Sequence, residues 1–329
     1  MNFKALLPLA IFLLSIFTLP AAPPIGDFAE MATVMVRSTK RGPKYSTKDL
    51  KARLKASNCP VKPILTKNVK RYIGYYVRGG RANTEAILGR SAIYFPIFDY
   101  YIKKHNLPPG LKALSIIESA LKPKAKSHAG AAGLWQFMPF TGKAYGLKIN
   151  NYVDERYDPY KATEAALKYL AHLHKAYGQW ELALAAYNCG PGKVEDAMKK
   201  VGSRDFWKIR KHLPKETRQY VPRYIAAFYV MNNYYFHDIR PAYPDYNLQI
   251  TGVTKIFKRR SFALLSEETG IPESLIATLN PAFKKQIIPP SKEGYNLVLP
   301  TIGVENTILS QLPMLDPNPK KVLATHKTH

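Results

Sequence analysis

Cysteine is scarce in this chain. Two cysteines in 329 residues, Cys59 and Cys189, exclude a disulfide-rich scaffold and a cysteine-based zinc finger. Acid is scarce too. Asp and Glu number 23 against 49 Lys and Arg, a formal net charge of +26. A surface of that sign attracts polyanions without regard to sequence: nucleic acid, wall polymer or membrane. Long apolar runs are absent beyond the N-terminus, and no repeat of solenoid length recurs. What is present is apolar bulk, 46% hydrophobic residues and 22 tyrosines. That is enough for a sizeable core and excludes a wholly disordered chain.

The first residues choose among the polyanions. Met1 to Lys4 carry one positive charge, residues 5–19 carry none, and Ala21 and Ala22 follow. This is the layout of a secretory signal peptide, too short to span a membrane comfortably. Pro20 and Pro23 flank the small residues, so an uncleaved anchor is the alternative. No cysteine stands near the cleavage point to accept a lipid. Export to the periplasm or cell envelope sets the charge against nucleic acid and toward anionic envelope polymers. It also opens a Cys59–Cys189 pairing, against which stand two buried thiols; sequence alone leaves this undecided.

The pattern divides the rest. Residues 1–22 read as the signal peptide and 23–59 as a basic, solvated extension with a short helix from Thr47. Residues 60–236 read as a helical domain without strands. Val69, Tyr72, Ile73, Tyr76 and Val77 keep helical spacing. A helix is expected over 94–105 with Pro96 in its first turn, and another from Gly110 to Leu121. Asp158-Pro159 opens a helix as N-cap and N1. Further helices are expected over 180–188, 194–201 and 215–235, the last kinked by Pro222 or holding it in its first turn. Residues 237–247, with Pro241 and Pro244, read as a linker. Residues 248–301 read as a small βααβ unit: strand 248–253, helices 262–269 and 272–279, strand 295–299. The tail, 302–329, reads as disordered.

One residue stands out chemically. Leu111, Leu114, Glu118 and Leu121 share a helical stripe, and no other charge lies between Lys112 and Lys122. Burial disfavours a charged carboxyl and raises its pKa, as a general acid near neutral pH requires. A buried Glu neutralised by a basic partner, or capping a helix, fits the same pattern. Downstream, Gly130-Ala131-Ala132-Gly133 lets backbone approach a ligand, and Trp135, Gln136, Phe137 and Met138 offer faces and an amide to a sugar. A tight helix crossing with core aromatics fits equally well. His172 and His174 are two apart on a helix, so they diverge and do not chelate; no metal site is expected.

In order along the chain stand Glu118-Ser119, Ser127, residues 130–139 (GAAGLWQFMP), residues 186–192 (AYNCGPG), and Glu216-Thr217 with Tyr220. Together they resemble the motifs of the lytic transglycosylases of glycoside hydrolase family 23, most closely the membrane-bound D type. The resemblance covers roughly residues 60–236. It implies a mainly α fold: a goose-type-lysozyme-like catalytic domain followed by a small C-terminal domain. By the same resemblance Glu118 is the sole catalytic acid and base. Ser127, Gln136 and Met138 line the site, Tyr187 and Asn188 contact the reacting muramic acid, and Glu216 and Tyr220 lie near the groove. Cys189 stands where a small residue is common. The C-terminal unit resembles a LysM module, with Leu279-Asn280-Pro281 at a recurring turn. Its usual Gly-Asp-Thr is replaced by Arg259-Arg260-Ser261.

The activity so implied is cleavage of the MurNAc–GlcNAc bond of peptidoglycan strands without water, leaving a 1,6-anhydromuramoyl end, with no cofactor. A hydrolytic muramidase is the first alternative. It would need a second carboxylate, for which Asp154, Glu155 and Asp158 are available, although Asp158 is accounted for as an N-cap. A non-catalytic wall-binding protein is the second alternative.

Overall fold

The computed structural model describes residues 45–301. The signal peptide, most of the basic extension and the tail lie outside the described residues. In chain order the helices of the first part are α1 Thr47–Ala56, α2 Lys67–Gly74, α3 Arg81–Lys104, α4 Ala113–Ser119, α5 Pro139–Ala144, α6 Pro159–Tyr177, α7 Trp180–Cys189, α8 Pro191–Val201, α9 Phe206–Ile209 and α10 Thr217–Asn233. A π-helical turn, Tyr75–Gly79, joins α2 to α3, and a 3-10 turn, Pro109–Lys112, precedes α4. No strand interrupts this part, only isolated bridges.

Helix α10 is the hub. It buries Val221, Pro222, Tyr224, Ala226, Ala227 and Val230, residues from all round its circumference. A helix apolar on every side must be enclosed, and α10 packs against α2, α4 and α7. Helix α6 starts as its sequence dictates. Asp158 accepts from the Tyr160 and Lys161 amides at 2.8 and 3.0 Å, and Pro159 takes the first helical position. Its apolar face, from Ala162 to Leu173, then lies against α3 and α7.

Three local expectations are corrected. The extension is not simply solvated. Ser46 and Asp49 close a capping box, and α1 drives Leu50 and Leu54 fully into the helical core. Pro96 lies inside α3, not in the first turn of a new helix. Its lost hydrogen bond is outweighed by burial of Ile87, Leu88, Tyr94, Ile97 and Phe98 on one continuous face. Pro222 lies buried inside α10, past its first turn, the interior position that the kinked-helix alternative requires. Leu121 is not on the Glu118 helix. Ala120 and Leu121 both take left-handed backbone, φ 53° and 57°, and the Arg90 guanidinium donates to the Ala120 carbonyl at 2.8 and 3.1 Å.

The C-terminal part holds α11 Tyr246–Gln249, β1 Thr251–Ile256, β2 Arg260–Ser261, α12 Phe262–Thr269, α13 Glu273–Leu279, β3 Ile287–Ile288 and β4 Tyr295–Pro300. Strands β1 and β4 pair antiparallel, Thr251 opposite Pro300, and β2 pairs with β3. The first strand thus begins later than expected. Asp245 caps the Asn247 amide and turns 246–249 into helix. The β2–β3 pair is too short to leave an alternating pattern. Leu265, Ile276, Ile288, Leu297 and Leu299 form a second core. Asn280 of the Leu-Asn-Pro turn staples α13 to β4, accepting from the Val298 amide and donating to its carbonyl. Residues 237–247 are not a free linker, since the Ala242 amide donates to the Glu85 carbonyl of α3 at 2.9 Å.

Candidate active site

The last turn of α4 carries Glu118. Ala113, Leu114 and Ile116 seat the helix in the core. The neighbouring Ser119 hydroxyl donates to the Leu134 carbonyl at 2.9 Å, fastening the helix end to loop 127–138. Glu118 is half-buried at this junction. The Tyr220 hydroxyl, delivered by α10, donates to its Oε1. Loss of water around the carboxyl raises its pKa to about 7. The Tyr220 hydrogen bond and the Arg223 charge work the other way, and the Glu216 charge adds to the rise.

Tyrosines enclose the carboxyl. Tyr187 at the end of α7 donates its hydroxyl to the Trp135 carbonyl at 2.7 Å. Burial, and then the Glu118 charge, push the Tyr187 and Tyr220 phenols well above the ordinary range. Both therefore stay neutral and act as fixed donors. Tyr187 continues into a ladder of rings, 5.3 Å to Tyr169 and 4.9 Å from there to Tyr145.

Loop 127–138 forms the other wall. Ala132 and Phe137 exchange backbone hydrogen bonds at 3.0 and 3.1 Å. The Ser127 hydroxyl accepts from the Ala131 amide, and the Gln136 side-chain nitrogen donates to the Gly133 and Ala125 carbonyls. Both side chains hold the loop's own shape. Met138 stands 43% exposed at its end. Gly133, at φ +80°, lies so near the Arg156 carbonyl that a Cβ would come within 1.8 Å of that oxygen. The Arg156 guanidinium closes the wall, with Nη1 donating to the Gly130 and Phe137 carbonyls while Nε and Nη2 grip the Asp154 carboxylate.

The structure thus brings together Glu118, Tyr187 and Tyr220, with the exposed Glu216 near enough to act on Glu118 through its charge. Ser127, Gln136 and Met138 share one loop. Asn188 is turned toward α10 and accepts from the Thr217 hydroxyl at 2.7 Å. The three acids available to a hydrolase as second carboxylates are all engaged elsewhere. Asp154 pairs with Arg156, Glu155 accepts from the Lys148 amide at 2.7 Å, and Asp158 caps α6. Cys59 and Cys189 are free thiols. Burial raises both, Cys59 to about 12, so Cys189 is no thiolate nucleophile. His172 meets the Tyr145 hydroxyl, and His174 stacks on Trp180. The supporting roles of Ser119, Thr217, Asp154 and Arg156 escaped the sequence. Ser119 and Thr217 sat inside quoted motifs without a role, and nothing in spacing ties Arg156 to a loop some twenty residues earlier.

Comparison with known proteins bears on this arrangement. The model of the transglycosylase SLT domain matches residues 95–210, and that of the lytic transglycosylase MltD LysM-like domain matches residues 251–311. The membrane-bound lytic murein transglycosylase D of Escherichia coli K12 is 37% identical over 202 residues, covering 60% of this chain and 44% of that protein. The soluble lytic murein transglycosylase of the same organism is 31% identical over 146 residues, 41% of this chain and 23% of that one. The solved 70 kDa soluble lytic transglycosylase of E. coli aligns at a TM-score of 0.40 and 21% identity, over 60% of this chain and 32% of that one. The chain spans under half the length of these curated relatives.

Proposed function

We propose that this chain, which carries a transglycosylase SLT domain followed by an MltD-type LysM-like domain, is an exported peptidoglycan lytic transglycosylase. The observation that carries the reading is Glu118 itself. It is a carboxyl with a pKa raised to about 7, bonded by the Tyr220 hydroxyl, at a wall where the acids of residues 154–158 are all occupied.

At neutral pH a large share of such carboxyls carry a proton. Glu118 donates it to the oxygen joining N-acetylmuramic acid to N-acetylglucosamine. The C1–O bond breaks, and the acetamido group of the substrate stabilises the positive C1. Glu118, now a carboxylate held by Tyr220, takes the proton of the muramic C6 hydroxyl. That oxygen closes on C1 to give the 1,6-anhydro ring, and Glu118 returns to its starting state. Ordinary glycosidases divide these tasks between two carboxylates; here one suffices because the nucleophile belongs to the substrate. Gln136, Met138, Tyr187 and Asn188 shape the wall that orients the sugar.

A hydrolytic muramidase is the second reading, and one observation favours it: the charge of Glu216 reaches Glu118. Glu216 is exposed at the start of α10. The deciding variants are Glu118→Gln and Glu216→Gln. Glu118→Gln is expected to lose about 10²–10⁴-fold in turnover while remaining folded. Glu216→Gln is expected to keep anhydro products; if it abolishes them, the one-carboxyl mechanism fails. Export rests on residues 1–22, and glycan recognition by the C-terminal module on its domain match.

A further inference from the structure

The C-terminal module does not hang from a tether. Its turn at 281–285 meets a hairpin of the helical domain, residues 149–154. The Asn150 side chain accepts from the Tyr152 and Val153 amides and sets the hairpin tip. Across the joint the Asp154 amide donates to the Ala282 carbonyl, and the Lys284 amide donates to the Tyr152 carbonyl, both at 2.9 Å. Val153, 1% exposed, inserts its side chain into the core of the C-terminal module. Exposed lysines fringe the contact. Lys284 Nζ reaches the Asn150 carbonyl, and Lys148 pairs with Glu293 at 2.9 Å.

The same hairpin ends in the clamp of the active-site loop. Asp154 donates its amide to the module and holds Arg156 with its carboxylate. Arg156 in turn bonds the Gly130 and Phe137 carbonyls, and its own carbonyl abuts Gly133. Both partners are nearly inaccessible, with side chains 7% and 4% exposed. A buried pair of this kind fixes geometry more than it adds stability.

We infer that Arg156 is a positioning residue for glycan cleavage, and that the C-terminal module holds it in place through Val153 and the Asp154–Ala282 bond. The module is then a brace for the substrate wall as well as a separate binder. This rests on the reading that Glu118 cleaves glycan. Misplacing a substrate by a fraction of a bond length at the reacting carbon slows chemistry far more than it weakens binding. The Glu118–Tyr220 contact lies on the opposite wall and is left intact when the brace is cut.

The test uses the full mature chain acting on soluble, uncross-linked glycan strands, so that retention on insoluble wall does not enter. Val153→Asp places a charge in the module core, and Arg156→Lys keeps the charge on Asp154 but loses the forked bonds to the loop. Both are expected to lower kcat about tenfold or more, with KM within about threefold of wild type. The alkaline limb of the pH profile stays in place, and hydrogen exchange at the Ala132, Gln136 and Phe137 amides quickens. Val153→Ile keeps wild-type values. If Val153→Asp fails to fold, Val153→Ala thins the same contact and takes its place, and wild-type kcat and exchange in a folded Val153 variant overturn the module's part in the brace. Wild-type kcat in a folded Arg156→Lys overturns the inference, whatever its exchange rates. An inactive wild type would sink the functional reading instead; unchanged exchange in Arg156→Lys would then sink the brace as well, and faster exchange would uphold it.

Discussion

A carboxyl with a folded pKa near 7 against an ordinary 4.5 ties activity and stability to the same proton. The sign for stability is fixed. The stabilising state is fully present below 4.5 and is lost as pH rises through about 7, because the charged form is then held in a desolvated place. Glu118→Gln removes that charge. It is therefore expected to melt like the wild type near pH 4, yet to be more stable by about 1–3 kcal/mol above pH 7.5, solvent at the half-buried rim screening part of the effect. Thermal melts across that range check it, and a constant difference would contradict it. Activity follows the protonated form, so kcat/KM falls by about a decade per pH unit on the alkaline side. The neighbours move that limb in opposite directions. Tyr220→Phe loses a bond that favours the carboxylate and shifts the limb upward, whereas Glu216→Gln loses a repelling charge and shifts it downward. A pH–rate profile of each variant reads both signs.

At the scale of the element, the wall loop depends on one close approach. Gly133→Ala combines a left-handed φ with a Cβ within 1.8 Å of the Arg156 carbonyl. It is expected to cost about 3 kcal/mol or more and to take activity with it; a melting curve equal to the wild type's would refute the packing described. What the sequence disclosed at this scale follows from how local each signal is. Asp158-Pro159 and the span of α12 are written in adjacent residues, and they stand where expected. The apolar company of Glu118 was legible from its stripe, though the helix ends two residues sooner, because Arg90 from α3 holds Ala120 in a left-handed turn. Pro96 misled because a proline's local cost is overruled by burial on both sides of it. The Asp154–Arg156 clamp and the core role of α1 were not legible at all. Each depends on which distant backbone or core the side chain meets, and no spacing encodes that.

Over the whole molecule, the +26 is the excess left after every acid is matched with a base, and the seven Lys and Arg ion pairs found among the described residues leave it unchanged. Most of these lie at the surface and contribute little. The excess is available to an anionic wall or envelope polymer. Retention on purified wall is therefore expected to weaken steeply between about 0.05 and 0.5 M salt, as screening shortens the reach of each charge; salt-independent retention would assign binding to uncharged contacts. Mainly helical architecture, a small strand-containing C-terminal module and one protonatable glutamate at the junction of α4, α10 and the wall loop then make a single account. In the proposed reaction the bond is opened by a proton from Glu118 and closed by the substrate's own hydroxyl, with no water taken up. Digestion of purified peptidoglycan in water enriched in heavy oxygen tests this directly, with products weighed by mass spectrometry. Muropeptides lighter by one water than their hydrolytic counterparts and free of the heavy label are expected, and are absent with Glu118→Gln. Reducing ends that carry the label would contradict the proposed reaction.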